Sequence, residues 1–162
     1  MNREEFEQLC EYANAGQLIF LKLMFYSGLR PFESCQLKWS DIDFNEDIIE
    51  VRSTNPKKPG RFIPLHSKLK EMLLNIERTD EFVSPFRKSA YSRRSLQRLF
   101  KLCNVRCTPY MLRKTVGGTL ADEGVNPVHT AEIMGHAKIE TTYKHYTKVN
   151  ISALSKSLLT LH

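Results

Sequence analysis

The sequence predicts a mainly α-helical domain with one small antiparallel β-hairpin or sheet. Three observations carry that prediction. Apolar residues recur at helical spacing along most of the 162 residues. Residues that start and stop helices punctuate those runs. Near the middle, two short runs rich in β-formers flank a turn built from Asn55, Pro56, Pro59 and Gly60.

The elements follow in order. Asn2 caps a first helix with Glu5 three positions on, and Phe6, Leu9, Cys10 and Ala13 fall on one face. A second helix, from about Gln17 to Ser27, is apolar on nearly every side and is expected to be buried all round. Gly28 ends it and Pro31 opens the next, which places Leu29 and Arg30 at a tight helix junction. "DIIEVRS" (47–53) and "GRFIPL" (60–65) are the two strands, and "SKLKEMLLNIE" (67–77) and "RRSLQRLFKLC" (93–103) are amphipathic helices. Thr108 and Pro109 start a helix that ends near Gly124. Asn126 and Pro127 start another that ends at Gly135. A short helix carries Tyr143 and Tyr146, and "ISALSKSLLTLH" forms a last apolar helix.

The length suits one domain, and 41% hydrophobic residues suffice for a packed core. No apolar run is long enough to span a membrane, and "MNREEFEQLC" is too charged for a signal peptide. Four cysteines do not make a disulfide framework, which points to a reduced, cytoplasmic setting. Cys103 and Cys107 have a zinc-like spacing, but no second Cys or His pair lies nearby in sequence; buried thiols explain them better, and no metal site is expected.

A net charge of +6 favours a polyanionic partner. The basic residues concentrate in "NPKKPGR" (55–61), "FRKSAYSRRSLQRLFK" (86–101) and "VRCTPYMLRK" (105–114). A solvated face is the commoner fate of such residues. Interleaved aromatics and missing acids favour nucleic acid here.

Two arginines stand out. Arg30 sits at the helix junction, where its planar fork suits the two non-bridging oxygens of a phosphate. Glu33, three residues on, can hold that guanidinium; taken alone, the pair is an ordinary helix-end ion pair of small value. Arg113 falls in the first turns of a helix, where a cation opposes the helix dipole.

Five motifs in order, "SGLR" with Glu33, "LKWSDID", "RFIPL", "LRKT" and "GHAKIETTYKHYTKV", make the chain resemble the tyrosine recombinases, or phage integrase family, over about residues 17–149. The resemblance implies the catalytic-domain fold of that family, filling 1–162 without the family's N-terminal DNA-gripping domain. It implies site-specific DNA recombination through a 3′-phosphotyrosyl intermediate, with no cofactor, on double-stranded DNA. A bacterial host would place it at the nucleoid.

Carried over residue by residue, Arg30 and Arg113 match the phosphate clamp, His136 the family's histidine-or-tryptophan position, and Glu33 the acid that supports the first arginine. Lys57, with Lys58 as alternate, matches the hairpin lysine that protonates the leaving 5′-oxygen. Tyr146 follows His136 by ten residues, as the family's nucleophile does, whereas Tyr143 follows by seven; Tyr143 and His145 pack or touch DNA. A phenol with a pKa of about 10 is ionised to roughly one part in a thousand at neutral pH, so it needs a cationic pocket. The family usually carries histidine where this chain has Tyr110. Lys58, Arg61, Arg93, Arg94 and Lys114 are the candidate DNA contacts. Ile151, Leu154, Leu158 and Leu161 give the last helix an apolar face, which in the family packs on a neighbouring subunit of a tetramer; folding back on its own domain is the equal alternative. Two other functions fit the same fold: a DNA-binding protein without turnover, and a type IB topoisomerase-like relaxing enzyme.

Overall fold

The structure, a computed structural model, describes residues 1–53 and 60–136. It contains seven α-helices and a three-stranded sheet among those residues. The chain divides into two compact units, Met1–Val116 and Gly117–His162.

The first unit opens with α1 (Arg3–Tyr12). Asn2 Oδ1 accepts from the Glu5 amide at 2.8 Å, and the Glu5 carboxylate accepts from the Asn2 amide at 2.8 Å. That reciprocal box satisfies two amide groups left over at the helix start. Asn14 and Gln17 repeat the device for α2 (Ala15–Ser27). Gln17 is itself buried, and its side-chain amide donates to the Ser95 carbonyl at 3.0 Å, so the box also ties α2 to a helix far along the chain.

From Gln17 to Ser27 no residue of α2 is exposed, as its all-round apolarity predicts. The reason is that α2 stands between two cores. Phe20, Leu21 and Met24 pack with Phe6 and Leu9 of α1, with Leu96, Leu99 and Phe100 of α5 (Ser89–Leu102), and with Leu112 of α6 (Pro109–Asp122). Leu23 joins the second core, with Ile42, Ile49 and Ile63 of the sheet and Leu69 and Leu73 of α4 (Ser67–Leu74).

Gly28 ends α2 at φ 64°, a left-handed conformation that glycine adopts without penalty, and its amide donates to the Met24 carbonyl at 3.0 Å. Helix α3 (Pro31–Gln36) follows at once, with proline at its first position. A 3-10 turn (Trp39–Asp41) then leads into the sheet. Its strands β1 (Ile42–Asp43), β2 (Ile48–Val51) and β3 (Arg61–Pro64) lie antiparallel in that order. Ile42 pairs with Ile49 and Ile49 with Ile63, which puts three buried isoleucines side by side on the inner face.

The sequence predicts β2 and β3 but not β1, because two residues are too few to show alternation. Helix α5 begins at Ser89, ahead of the predicted Arg93, and α4 stops at Leu74, short of the predicted 77. The residues 54–59 of the predicted turn lie outside the described residues, as does the predicted last helix.

In the second unit, the end of α6 leads through Gly124 at φ 71° to α7 (Pro127–Met134). Asn126 caps α7 by accepting from the Val128 amide at 2.9 Å, and Gly135 closes it at φ 58°. Gly117 is closely approached there: a Cβ at this position would lie 3.3 Å from Met134 Cε.

Leu23 is fully buried in the core that joins α2 to the sheet. Leu23→Ala is expected to destabilise the protein by about 2–5 kcal/mol. Urea unfolding should show a lower midpoint with an unchanged slope.

Candidate active site

The end of α2 places the first arginine. Leu29 is fully buried behind Gly28, so the backbone of Arg30 starts from a fixed point. The Arg30 amide donates to Glu33 Oε2 at 2.8 Å, and its Nη1 donates to Glu33 Oε1 at 2.8 Å. Arginine has no acceptor, so this is half a capping box: Glu33 caps the helix start while gripping the capping residue's own guanidinium.

A second guanidinium meets the same carboxylate. Arg61, the first residue of β3, donates from Nη1 to Glu33 Oε1 at 2.8 Å and from Nη2 to Oε2 at 2.9 Å, a bidentate pair. Glu33 thus accepts four hydrogen bonds. Burial alone would raise its pKa; the bonds from Arg61 and Arg30 outweigh burial and bring it down to about 2.

Arg113 comes from α6 and is 3% exposed. Its Nη1 donates to the carbonyl of Gly28, the residue that caps α2. Burial lowers its pKa, the neighbouring charge of Arg30 lowers it further, and Glu33 opposes both, leaving a value of about 10. The group is therefore a dehydrated cation at neutral pH. Arg30, Arg61, Glu33 and Arg113, drawn from three distant stretches of sequence, form one electrostatic cluster in which three guanidinium groups act with one carboxylate. Such a cluster favours an anion with several oxygens, as phosphate has.

The structure places the other predicted residues as follows. Tyr110 stands one turn before Arg113 and is 69% exposed, and Lys114 is exposed beside it. Tyr110 contributes to the electrostatics of Arg113. Arg93 and Arg94 are exposed on α5, whose buried face is Ser92, Leu96, Leu99 and Phe100. His136 belongs to the second unit, where it follows Gly135 and its amide donates to the Ala131 carbonyl at 2.9 Å. Lys57, Lys58, Tyr143, His145 and Tyr146 lie outside the described residues.

The basic stretch 55–61 makes Arg61 a candidate DNA contact in sequence. Its side chain is instead only 19% exposed and turned onto Glu33. The signal was present in the strand alternation. Arg61, Ile63 and Leu65 alternate with exposed Phe62 and Pro64, and Ile63 and Leu65 are buried. The bond from Arg113 to Gly28 had no such signal.

A sequence model described as "Phage integrase family" matches residues 1–152. The chain belongs to the phage integrase family. Among curated members, it is 33% identical over 153 residues to the tyrosine recombinase XerA of Thermococcus onnurineus, covering 87% of this chain and 53% of that protein. A solved XerA recombinase superposes with a TM-score of 0.74 at 26% identity, over 97% of this chain and 62% of the other. The catalytic domain of bacteriophage HP1 integrase has the same fold, with a TM-score of 0.77 at 22% identity over 99% of this chain and 94% of that domain. The fold is therefore that of tyrosine recombinase catalytic domains, as the motif order implied. The chain spans about half the length of the XerA relative it matches.

The depressed pKa of Glu33 has a definite consequence for stability. Its folded value of about 2 lies below the ordinary 4.5, so the ionised carboxylate stabilises the fold above 4.5, and that contribution is lost as pH falls from 4.5 toward 2. Glu33→Gln is expected to cost on the order of 2 kcal/mol at neutral pH. Urea titrations at stepped pH should show the difference from wild type shrinking through that window.

Proposed function

We propose that this chain is the catalytic domain of a tyrosine-type site-specific recombinase, which cuts and rejoins double-stranded DNA through a 3′-phosphotyrosyl intermediate. The observation that carries the reading is the arginine cluster: Arg30 and Arg113, 83 residues apart in sequence, converge on the Gly28–Glu33 junction. Membership of the phage integrase family supports it.

In this mechanism Arg30 and Arg113 hold the non-bridging oxygens of the scissile phosphate, which gather charge in the transition state. Donors fixed by Glu33 and by the Gly28 carbonyl need little reorganisation when that charge develops. His136 supports the same phosphate. Tyr146 Oη attacks phosphorus and releases its proton to solvent; the bond to the 5′-oxygen breaks, and Lys57, or Lys58 beside it, gives that oxygen a proton. One phosphodiester becomes another, so the energy of the broken bond stays in the covalent link. The reverse step, with a 5′-hydroxyl from another strand, completes exchange.

Tyr110 stands at the family's usual histidine position. A phenol cannot accept the nucleophile's proton near neutral pH, but this exposed hydroxyl can donate to a phosphate oxygen. Ile151, Leu154, Leu158 and Leu161 would either join subunits as a tetramer on DNA or fold back on their own domain, and a chain that stays monomeric at high concentration would exclude the first. A cytoplasmic location follows from the DNA substrate.

The test is covalent capture on a nicked duplex from which the cut strand diffuses away. Wild-type protein is expected to give a protein–DNA adduct on a denaturing gel, and Tyr146→Phe none. Arg113→Ala should form it at least about a hundredfold more slowly. DNA binding at low salt without any adduct would instead mark a binding protein that lacks turnover.

A further inference from the structure

The three side chains of the Arg30–Glu33–Arg61 group differ in access. Arg30 is 42% exposed, Arg61 19% and Glu33 11%. Both oxygens of Glu33 are bonded to Arg61, and the same two oxygens take the amide and Nη1 of Arg30. The carboxylate therefore lies between an inner guanidinium and an outer one. A carboxylate held by Arg30 alone could rotate about its last torsion, which is broad for Glu. Two parallel bonds from a planar fork remove that freedom, and an ammonium cannot supply them.

Arg61 is itself anchored. It pairs with Val51 across β2 and β3. The preceding Gly60 runs so close to β2 that a Cβ there would lie 2.8 Å from the Val51 carbonyl oxygen. The strand thus holds the inner guanidinium at a set depth, and the chain of contacts runs from sheet to Arg61, to Glu33, to Arg30.

We propose that Arg61 is a positioning residue of the phosphate clamp: it fixes the plane of the Glu33 carboxylate, which fixes Arg30, and it does not contact DNA. This rests on reading Arg30 as a phosphate ligand. It takes the place of the DNA contact that the basic stretch 55–61 suggests for Arg61.

The experiment compares Arg61→Gln, Arg61→Lys, Glu33→Gln and the Arg61→Gln/Glu33→Gln double variant, each first shown to be folded by thermal unfolding. Single-turnover adduct formation is expected to slow about tenfold or more in both Arg61 variants, with Lys giving no rescue. The double variant should be no slower than the worse single one. The salt dependence of DNA binding should keep its slope in Arg61→Gln, whereas loss of a direct phosphate contact reduces it by about one.

A 5′-bridging phosphorothiolate substrate, whose thiolate leaves without a proton, should not restore the rate. A reduced salt slope, full rescue by lysine, additive losses or recovery on the phosphorothiolate would each overturn the proposal. If wild-type protein forms no adduct, the recombinase reading fails separately. Binding of inorganic phosphate then decides: Arg61→Lys, which keeps the charge, should weaken it about tenfold, and unchanged binding would sink the proposal.

Discussion

Like charges do not gather in a folded protein unless something holds them, and here one carboxylate does most of the holding. Glu33 accepts four hydrogen bonds from Arg30 and Arg61. Without it, a half-buried patch would carry guanidinium groups that repel one another, and each would keep its hydration by turning outward. With it, Arg30 is drawn against the start of α3 and Arg61 against the sheet. The same four bonds outweigh the cost of burying Glu33, which is why its pKa falls despite burial.

The second support is a backbone atom. Gly28 closes α2 in a left-handed conformation, and its carbonyl accepts from Arg113. A carbonyl makes a useful fixed point only if its helix cannot shift. Helix α2 cannot shift cheaply, because Leu21 and Met24 are locked into one core and Leu23 into the other. Packing energy far from the cluster thereby becomes precision at the cluster. Arg30, two residues beyond Gly28, inherits the same fixed frame, so both arginines are set by the end of one helix.

Local punctuation made much of this legible in advance. The capping residues Asn2, Asn126, Gly28 and Gly135, and the prolines that open α3, α6 and α7, act within a turn of their own position, so their meaning survives in a one-dimensional sequence. Glu33 lies three residues from Arg30, and that contact was readable for the same reason. Arg61 lies 28 residues from Glu33, and Arg113 lies 85 from Gly28. Such contacts depend on how strands and helices stack, which periodicity does not specify. For Arg61 alternation did specify the face, but a basic run around it argued the other way. Strand β1 escaped notice because its two residues are defined by their partners in β2 and by no pattern of their own.

Arg113 shows what the fold gives up for the cluster. A residue 3% exposed that must be charged sits near other cations and in the early turns of a helix, where the dipole also opposes it. Its folded pKa of about 10 lies below the ordinary guanidinium value, so the folded chain holds that proton less tightly than the unfolded chain does. By linkage, its charge counts against stability at every pH below about 10, and relief comes only as pH rises above that toward the ordinary guanidinium value. A protein selected for stability alone would place leucine or methionine in such a position. A phosphate held by the cluster, as proposed, would reverse the sign of the effect: its oxygens would add to the negative charge of Glu33 beside Arg113, and its binding would gain by the repulsion it offsets. In the proposed reaction that destabilising feature would be the source of affinity, most of all for a transition state that carries more charge than the ground state.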